Sequence, residues 1–225
     1  MQYLLTAELL VYLFAYLFCL FVLSKEDFVL FRKNISLERV FNLALLSSLV
    51  GLLFARIFYV VFNFAHGFLN PLVFFLFPYF PGLSIPAGVL AGALFVILFT
   101  NKSKLPTQRL FDFLSLSFLA SFLIRLLISM VISKLFVTYI FLILLFVVIF
   151  SLLIYFFIRA KLLDASIGYL SLITFSVFYY IIQLTRHSAF LSEDILLLGI
   201  FLFSLYTIFK QEKLWMKIKK SFLKK

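Results

Sequence analysis

Two arginines interrupt stretches that are otherwise apolar: Arg56 in GLLFARIFYVVF (51–62) and Arg125 in FLASFLIRLLIS (118–129). An arginine at the centre of a membrane helix costs about 2.5–3.5 kcal/mol on insertion scales, so it is turned toward a partner, a cavity or a ligand. The chemistry open to a planar, permanently charged fork of N–H donors is recognition of a phosphate or a carboxylate. Laid across a bilayer as described below, the chain brings Glu8, Tyr12, Asn63, His66, Ser84, Tyr179, Gln183, Arg186 and His187 to the same half as the two arginines. The opposite half holds little besides Asp112 and Asp164, both near helix starts, where the helix dipole favours an acid. A one-sided cluster with two or three arginines suits an anionic headgroup. Structural alternatives stand beside this reading. One arginine could pair with Glu8 to stabilise the fold, and Arg186 reads equally as a loop residue. His66, His187 and Tyr179 fit interfacial positions better than catalytic ones.

The elements that must position these groups are membrane helices. Hydrophobic residues make up 65% of the 225-residue chain, 34 of them phenylalanine, and the mean hydropathy is +1.20. A soluble domain is about 45–50% apolar and has no room to bury such a surplus. One cysteine, Cys19, excludes an internal disulfide and a multi-cysteine metal site, and two histidines argue against zinc. No metal or cofactor is implied. The formal charge of +11 raises the question of nucleic acid, but its placement answers it: the charge marks membrane topology, and no nucleic-acid partner is expected.

A spanning helix takes about 20 apolar residues. Seven segments fit, at 3–23, 41–62, 83–99, 110–133, 135–158, 162–184 and 190–209. The expected fold is therefore an all-α polytopic membrane protein of about seven transmembrane helices, a single domain over 1–209 followed by a basic tail, 210–225. The first segment lacks a basic start and a small-residue cleavage site, so it reads as a retained helix. Lys25, Arg32, Lys33 and Arg39 follow the first span, Lys102, Lys104 and Arg109 the third, Arg159 and Lys161 the fifth, and seven lysines from Lys210 to Lys225 the last. The other side carries only Lys134 and Arg186. The positive-inside rule then sets the N-terminus outside and the C-terminus in the cytoplasm. In the tail, Leu214, Trp215, Ile218 and Phe222 share one helical face while lysines occupy the rest. That is the pattern of a helix lying on an anionic membrane surface, or of a basic signal that fixes topology. The segment Asn63–Pro81, with three prolines and no charge, reads as an interfacial or re-entrant outer segment.

Ser47, Gly51 and Ala55 recur every fourth residue, as do Ala87/Ala91 and Gly88/Gly92. Small residues at this spacing let helix backbones approach closely, so a tight contact between the second and third spans is expected.

Four fragments resemble, in order and spacing, the bacterial prolipoprotein diacylglyceryl transferases. GLLFARIFYVVFN (51–63) resembles that family's glycine–arginine–tyrosine helix, and PGLSIPAGVLAG (81–92) its S-F-H-G-G-L-x-G segment. FDFLSLSFLASFLIRLL (111–127) resembles the helix with the signature arginine, and FYYIIQLTR (178–186) the F-R-F-x-x-E-x-x-R stretch. The resemblance runs over roughly 1–210 and includes the topology. It has departures. The family histidine falls at Pro86 and its paired glycine at Ala87. Of G-R-x-G-N-F only Arg125 remains, and in the last motif Tyr179 stands for an arginine and Gln183 for the glutamate.

The resemblance implies an enzyme of the bacterial plasma membrane that moves diacylglyceryl from phosphatidylglycerol to the cysteine thiol of a prolipoprotein signal peptide, with glycerol phosphate leaving. On this reading Arg125, Tyr179 and Gln183 are the catalytic positions. Arg56, Arg186, Tyr12, Ser84, Asn63 and His66 bind substrate, and His66 or His187 replaces the missing base. The partners implied are an anionic phospholipid and the signal peptide. A non-catalytic relative that binds lipid or signal peptide is the alternative. A small transporter or assembly factor ranks last, because no inverted repeat and no chain of carboxylates across the bilayer is visible.

Overall fold

The computed structural model describes residues 2–25, 27–62, 82–132, 136–159, 165–186 and 192–222, with backbone alone described at 2–9, 212–222 and a few helix-end positions. Every described element is a helix: α1 (Gln2–Ser24), α2 (Phe28–Arg32), α3 (Leu37–Phe62), α4 (Ile85–Lys102), α5 (Thr107–Ile132), α6 (Phe136–Ile158), α7 (Ser166–Arg186) and α8 (Ser192–Phe222). In a bilayer this follows from the backbone itself, since each N–H and C=O must be satisfied within the segment. Among the described residues, α3, α4, α5, α6 and α7 are long and apolar enough to cross a membrane. The outside of the bundle is as apolar as its interior, with Phe14, Phe31, Leu98, Val137 and Phe141 all exposed. This is a multi-pass membrane protein. The Asn63–Pro81 segment, with His66, and also Asp164 and His187, lie outside the described residues.

Helix α5 is the centre. Of its apolar window, 61% is buried, against 22% for α3, α4 and α6. It packs against α1 on one side and against α6 and α7 on the other. Phe122 of α5 meets Phe175 of α7 edge-on, centroids 5.2 Å apart, and Phe146 of α6 meets Phe178 likewise at 5.1 Å. Such edge-to-face pairs add specificity where apolar burial alone gives none.

Helices α3 and α4 form a second, tight pair. A Cβ on Gly88 would stand 2.9 Å from the Gly51 carbonyl oxygen, and one on Gly51 would stand 3.1 Å from that of Gly88. The small-residue seam foreseen in the sequence is thus a backbone-to-backbone contact. Helix α1 leans on α5 and touches α3 only lightly.

Two polar devices fix the end where α5 begins. Asp112, 1% exposed, accepts the backbone N–H of Ala165 at 2.9 Å and of Gly168 at 2.6 Å. It therefore caps α7, the neighbouring helix, whose first N–H groups have no partner of their own. Arg109 donates to Asp27 through two nitrogens, at 2.7 and 3.0 Å, and its guanidinium lies 4.0 Å from the centroid of Phe157. Asp27 in turn accepts the Leu30 N–H at 3.1 Å and starts α2. The backbone of α8 stays helical past position 210 to Phe222, so the basic tail continues the last helix.

Candidate functional site

A cavity of about 530 Å³ lies between α1, α3, α4 and α5, with Leu172 of α7 at its back. Helix directions order its walls. At one end stand Ala55, Gly82, Ile85 and Arg125; at the other stand Val96 and Phe111, with Tyr12, Tyr16 and Ser47 between. Arg125 and Phe111 are fourteen residues apart on α5, roughly 21 Å at helical rise. The walls are mostly apolar. Their serines are satisfied within their own helices, Ser47 Oγ donating to the Ala44 carbonyl at 2.9 Å, Ser115 Oγ to that of Phe111 at 2.6 Å and Ser121 Oγ to that of Phe118 at 2.7 Å. The surface they leave is slightly polar but asks for no hydrogen-bond partner.

Arg125 is different. It is the cationic side chain of the cavity wall. Its Nε is buried with no hydrogen-bond partner, and its guanidinium lies 5.4 Å from the ring centroid of Tyr179. The phenol ring backs the guanidinium, and Nε stays buried without a partner. A cation with an unpartnered N–H in low-dielectric surroundings attracts an anion far more strongly than it would in water.

The other sequence-derived residues divide. Tyr12 lines the cavity. Tyr179 lies beneath Arg125. Gln183, one turn further on α7, donates from Nε2 to Glu193 Oε2 of α8 at 3.2 Å. Ser84 is fully buried as the residue before α4. Arg56, 4% exposed, is not part of the cavity wall. It donates to the Gly82 carbonyl at 2.9 Å, with the Tyr59 ring 5.8 Å away. Beside it, the Ser84 N–H donates to the Ala55 carbonyl at 3.0 Å. Tyr59 also fills the space that a side chain on Gly82 would take. Arg56 thereby ties the chain leading into α4 to the end of α3, one wall of the cavity. Arg186 ends α7 with its side chain outside the described residues, as are Asn63 and His66.

The residue missed in the sequence is Glu193. It lies in the first turn of α8, bonded to Gln183 and in electrostatic interaction with Arg125. Its only signal in the sequence was an acidic pair, Glu193–Asp194, at the mouth of the last apolar segment. Tyr16, Ser47 and Ser121 on the cavity wall were missed too. Ser121 stands four residues before Arg125, a spacing that shares one helix face.

Residues 9–127 match the sequence model of the prolipoprotein diacylglyceryl transferases. The chain belongs to that family. The match ends just past Arg125, so α1, α3, α4, α5 and the cavity they enclose are the family's part, while Tyr179, Gln183 and Arg186 lie beyond it. The family is one of transferases that act on lipid and lipoprotein substrates in the membrane. A comparison with curated proteins gives no match.

Proposed function

We propose that the protein transfers diacylglyceryl from phosphatidylglycerol to the cysteine of a lipobox peptide at the outer side of the bacterial plasma membrane. The topology is that of seven spans, the N-terminus outside. One observation carries the reading: a guanidinium with an unsatisfied Nε stands at the end of a long apolar cavity built by the family's own helices. The lipid phosphate sits on Arg125, and hydrocarbon runs along the walls toward Phe111. The thiolate attacks the glyceryl carbon next to the phosphate oxygen, a C–S bond forms, the C–O bond breaks, and glycerol phosphate leaves with the electron pair. Arg125 stabilises the charge that gathers on the departing phosphate. The thiol proton passes to a base, for which His66 and His187 are the candidates. Tyr12 lines the cavity, Tyr179 backs Arg125, Gln183 and Ser84 stand at Glu193, Arg56 braces the chain that leads into α4, and Asn63 and Arg186 complete the substrate side.

A second reading is favoured by Pro86. At the position where the family carries its histidine, this chain has a buried proline in the first turn of α4, which accepts no proton. On that reading the cavity binds anionic lipid or a signal peptide without transfer. The deciding experiment is transfer of labelled diacylglycerol from phosphatidylglycerol to a lipobox peptide in proteoliposomes, with Arg125→Ala beside it. Transfer that is lost in Arg125→Ala establishes the enzyme. Saturable lipid binding with no transfer establishes the second reading.

A further inference from the structure

A lone guanidinium beside hydrocarbon is unstable without a counter-charge, and the described carboxylate in electrostatic reach of Arg125 is Glu193. The two do not touch. Among the described residues the ion pair in contact is Arg109–Asp27, at the other end of α5. Two groups hold Glu193 on its own side: its Oε2 takes the amide N–H of Gln183 at 3.2 Å, and the Ser84 hydroxyl stands beside the carboxylate. Tyr179, one turn before Gln183 on the same helix, sits against the guanidinium. Helix α7 thus presents a phenol to Arg125 and an amide to Glu193, spacing the two charges from one rigid element. Opposite charges held apart in a low dielectric still attract strongly. The Nε of Arg125 nevertheless stays buried without a hydrogen-bond partner. Asp194, next in sequence, is buried and adds a second acidic field around Glu193.

We propose that Glu193, held off by Gln183, is the positioning counter-charge of Arg125: it keeps the guanidinium at the cavity wall, and an anionic phosphate binds against its field. The inference rests on the reading of Arg125 as the phosphate group's partner. It gives the α7–α8 contact a task beyond packing. The carboxylate keeps an empty site near neutral. It also speeds departure of the anionic leaving group, because it opposes any anion that rests on Arg125.

Two variants have effects of opposite sign, which general damage to the fold does not produce. Glu193→Gln removes the opposing charge while keeping shape and the hydrogen bond to residue 183. Binding of phosphatidylglycerol in nanodiscs tightens about tenfold, binding of phosphatidylcholine is unchanged, and in the transfer assay KM and kcat fall together. Gln183→Ala releases the carboxylate to close on Arg125, and phosphatidylglycerol binding weakens. In an Arg125→Ala background Glu193→Gln changes neither. Equal affinity of Glu193→Gln and wild type, or the same shift in both backgrounds, overturns the proposal. A thermal-unfolding cycle over Arg125→Ala and Glu193→Gln tests the pairing without lipid: the double variant is more stable than the sum of the single losses demands if the charges act as a pair, and strict additivity refutes it. Failure of the wild-type protein to bind phosphatidylglycerol strikes the proposed function, and the stability cycle alone then decides whether the two charges are coupled.

Discussion

The seam between α3 and α4 gives a graded test within one class of substitution. Gly88→Ala sets a methyl 2.9 Å from the Gly51 carbonyl oxygen and 3.0 Å from Ala55 Cβ. Ordinary contact begins near 3.4 Å, so the helices must part by about half an ångström or bend, and their neighbours are backbone that cannot turn aside. Overpacking of this kind costs about 1–3 kcal/mol. Alanine also gains about 1 kcal/mol over glycine in a helix interior, and that gain is common to every member of the series. Gly199→Ala isolates it, since no atom lies within 4 Å of the new methyl. Gly92→Ala meets the Ser47 carbonyl at an unstrained 3.4 Å. The expected order of stability is Gly199→Ala above Gly92→Ala above Gly88→Ala, with about 1–3 kcal/mol between the ends. Denaturant unfolding in detergent micelles, followed by circular dichroism, measures it. Gly88→Ala as stable as Gly199→Ala would refute the close backbone contact.

Two further outcomes follow from the geometry. Asp112→Ala leaves the N–H groups of Ala165 and Gly168 without their acceptor in a buried place. It lowers stability by about 2–4 kcal/mol, whereas Asp112→Asn keeps one acceptor and loses about half as much, both read from thermal unfolding. Ser48→Phe places a ring into the cavity from α3. Lipid binding falls at least tenfold while the midpoint of unfolding moves little, measured by native mass spectrometry and thermal shift on the same preparation.

Where the apolar helices run along the chain was legible in the sequence; direction around each helix was not. The apolar segments end within about one turn of the helix ends at most described boundaries, because chain length and hydropathy fix them. The Ser47–Gly51–Ala55 and Gly88–Gly92 stripes announced their contact, because small residues at fourfold spacing have one use in a membrane. Arg125 announced itself by its cost. The face that each helix turns inward is a different matter. The helices are apolar nearly all round, so periodicity says little. That is why Arg56 and Arg125, alike in the sequence, part company in three dimensions. One is spent on the carbonyl of Gly82 and the other opens on the cavity. Glu193 was illegible for the same reason: its partner Gln183 sits on another helix. Asp112 was read as an acid near a helix start serving its own helix; α5 has no acid in its first turn, and the N-terminus that Asp112 serves is that of α7.

The light contact between α1 and α3, set against the dense α3–α4 pair, has a thermodynamic meaning particular to bilayers. In water, parting two apolar helices exposes hydrocarbon to solvent and is opposed by about 25 cal/mol for each Å² uncovered. Between lipid tails that penalty vanishes, because an acyl chain wets the uncovered helix as well as its neighbour did. The α1–α3 boundary is therefore a seam that the solvent itself can fill, and the molecules of that solvent are phospholipids. The cavity's weakest wall faces a reservoir of its own proposed substrate.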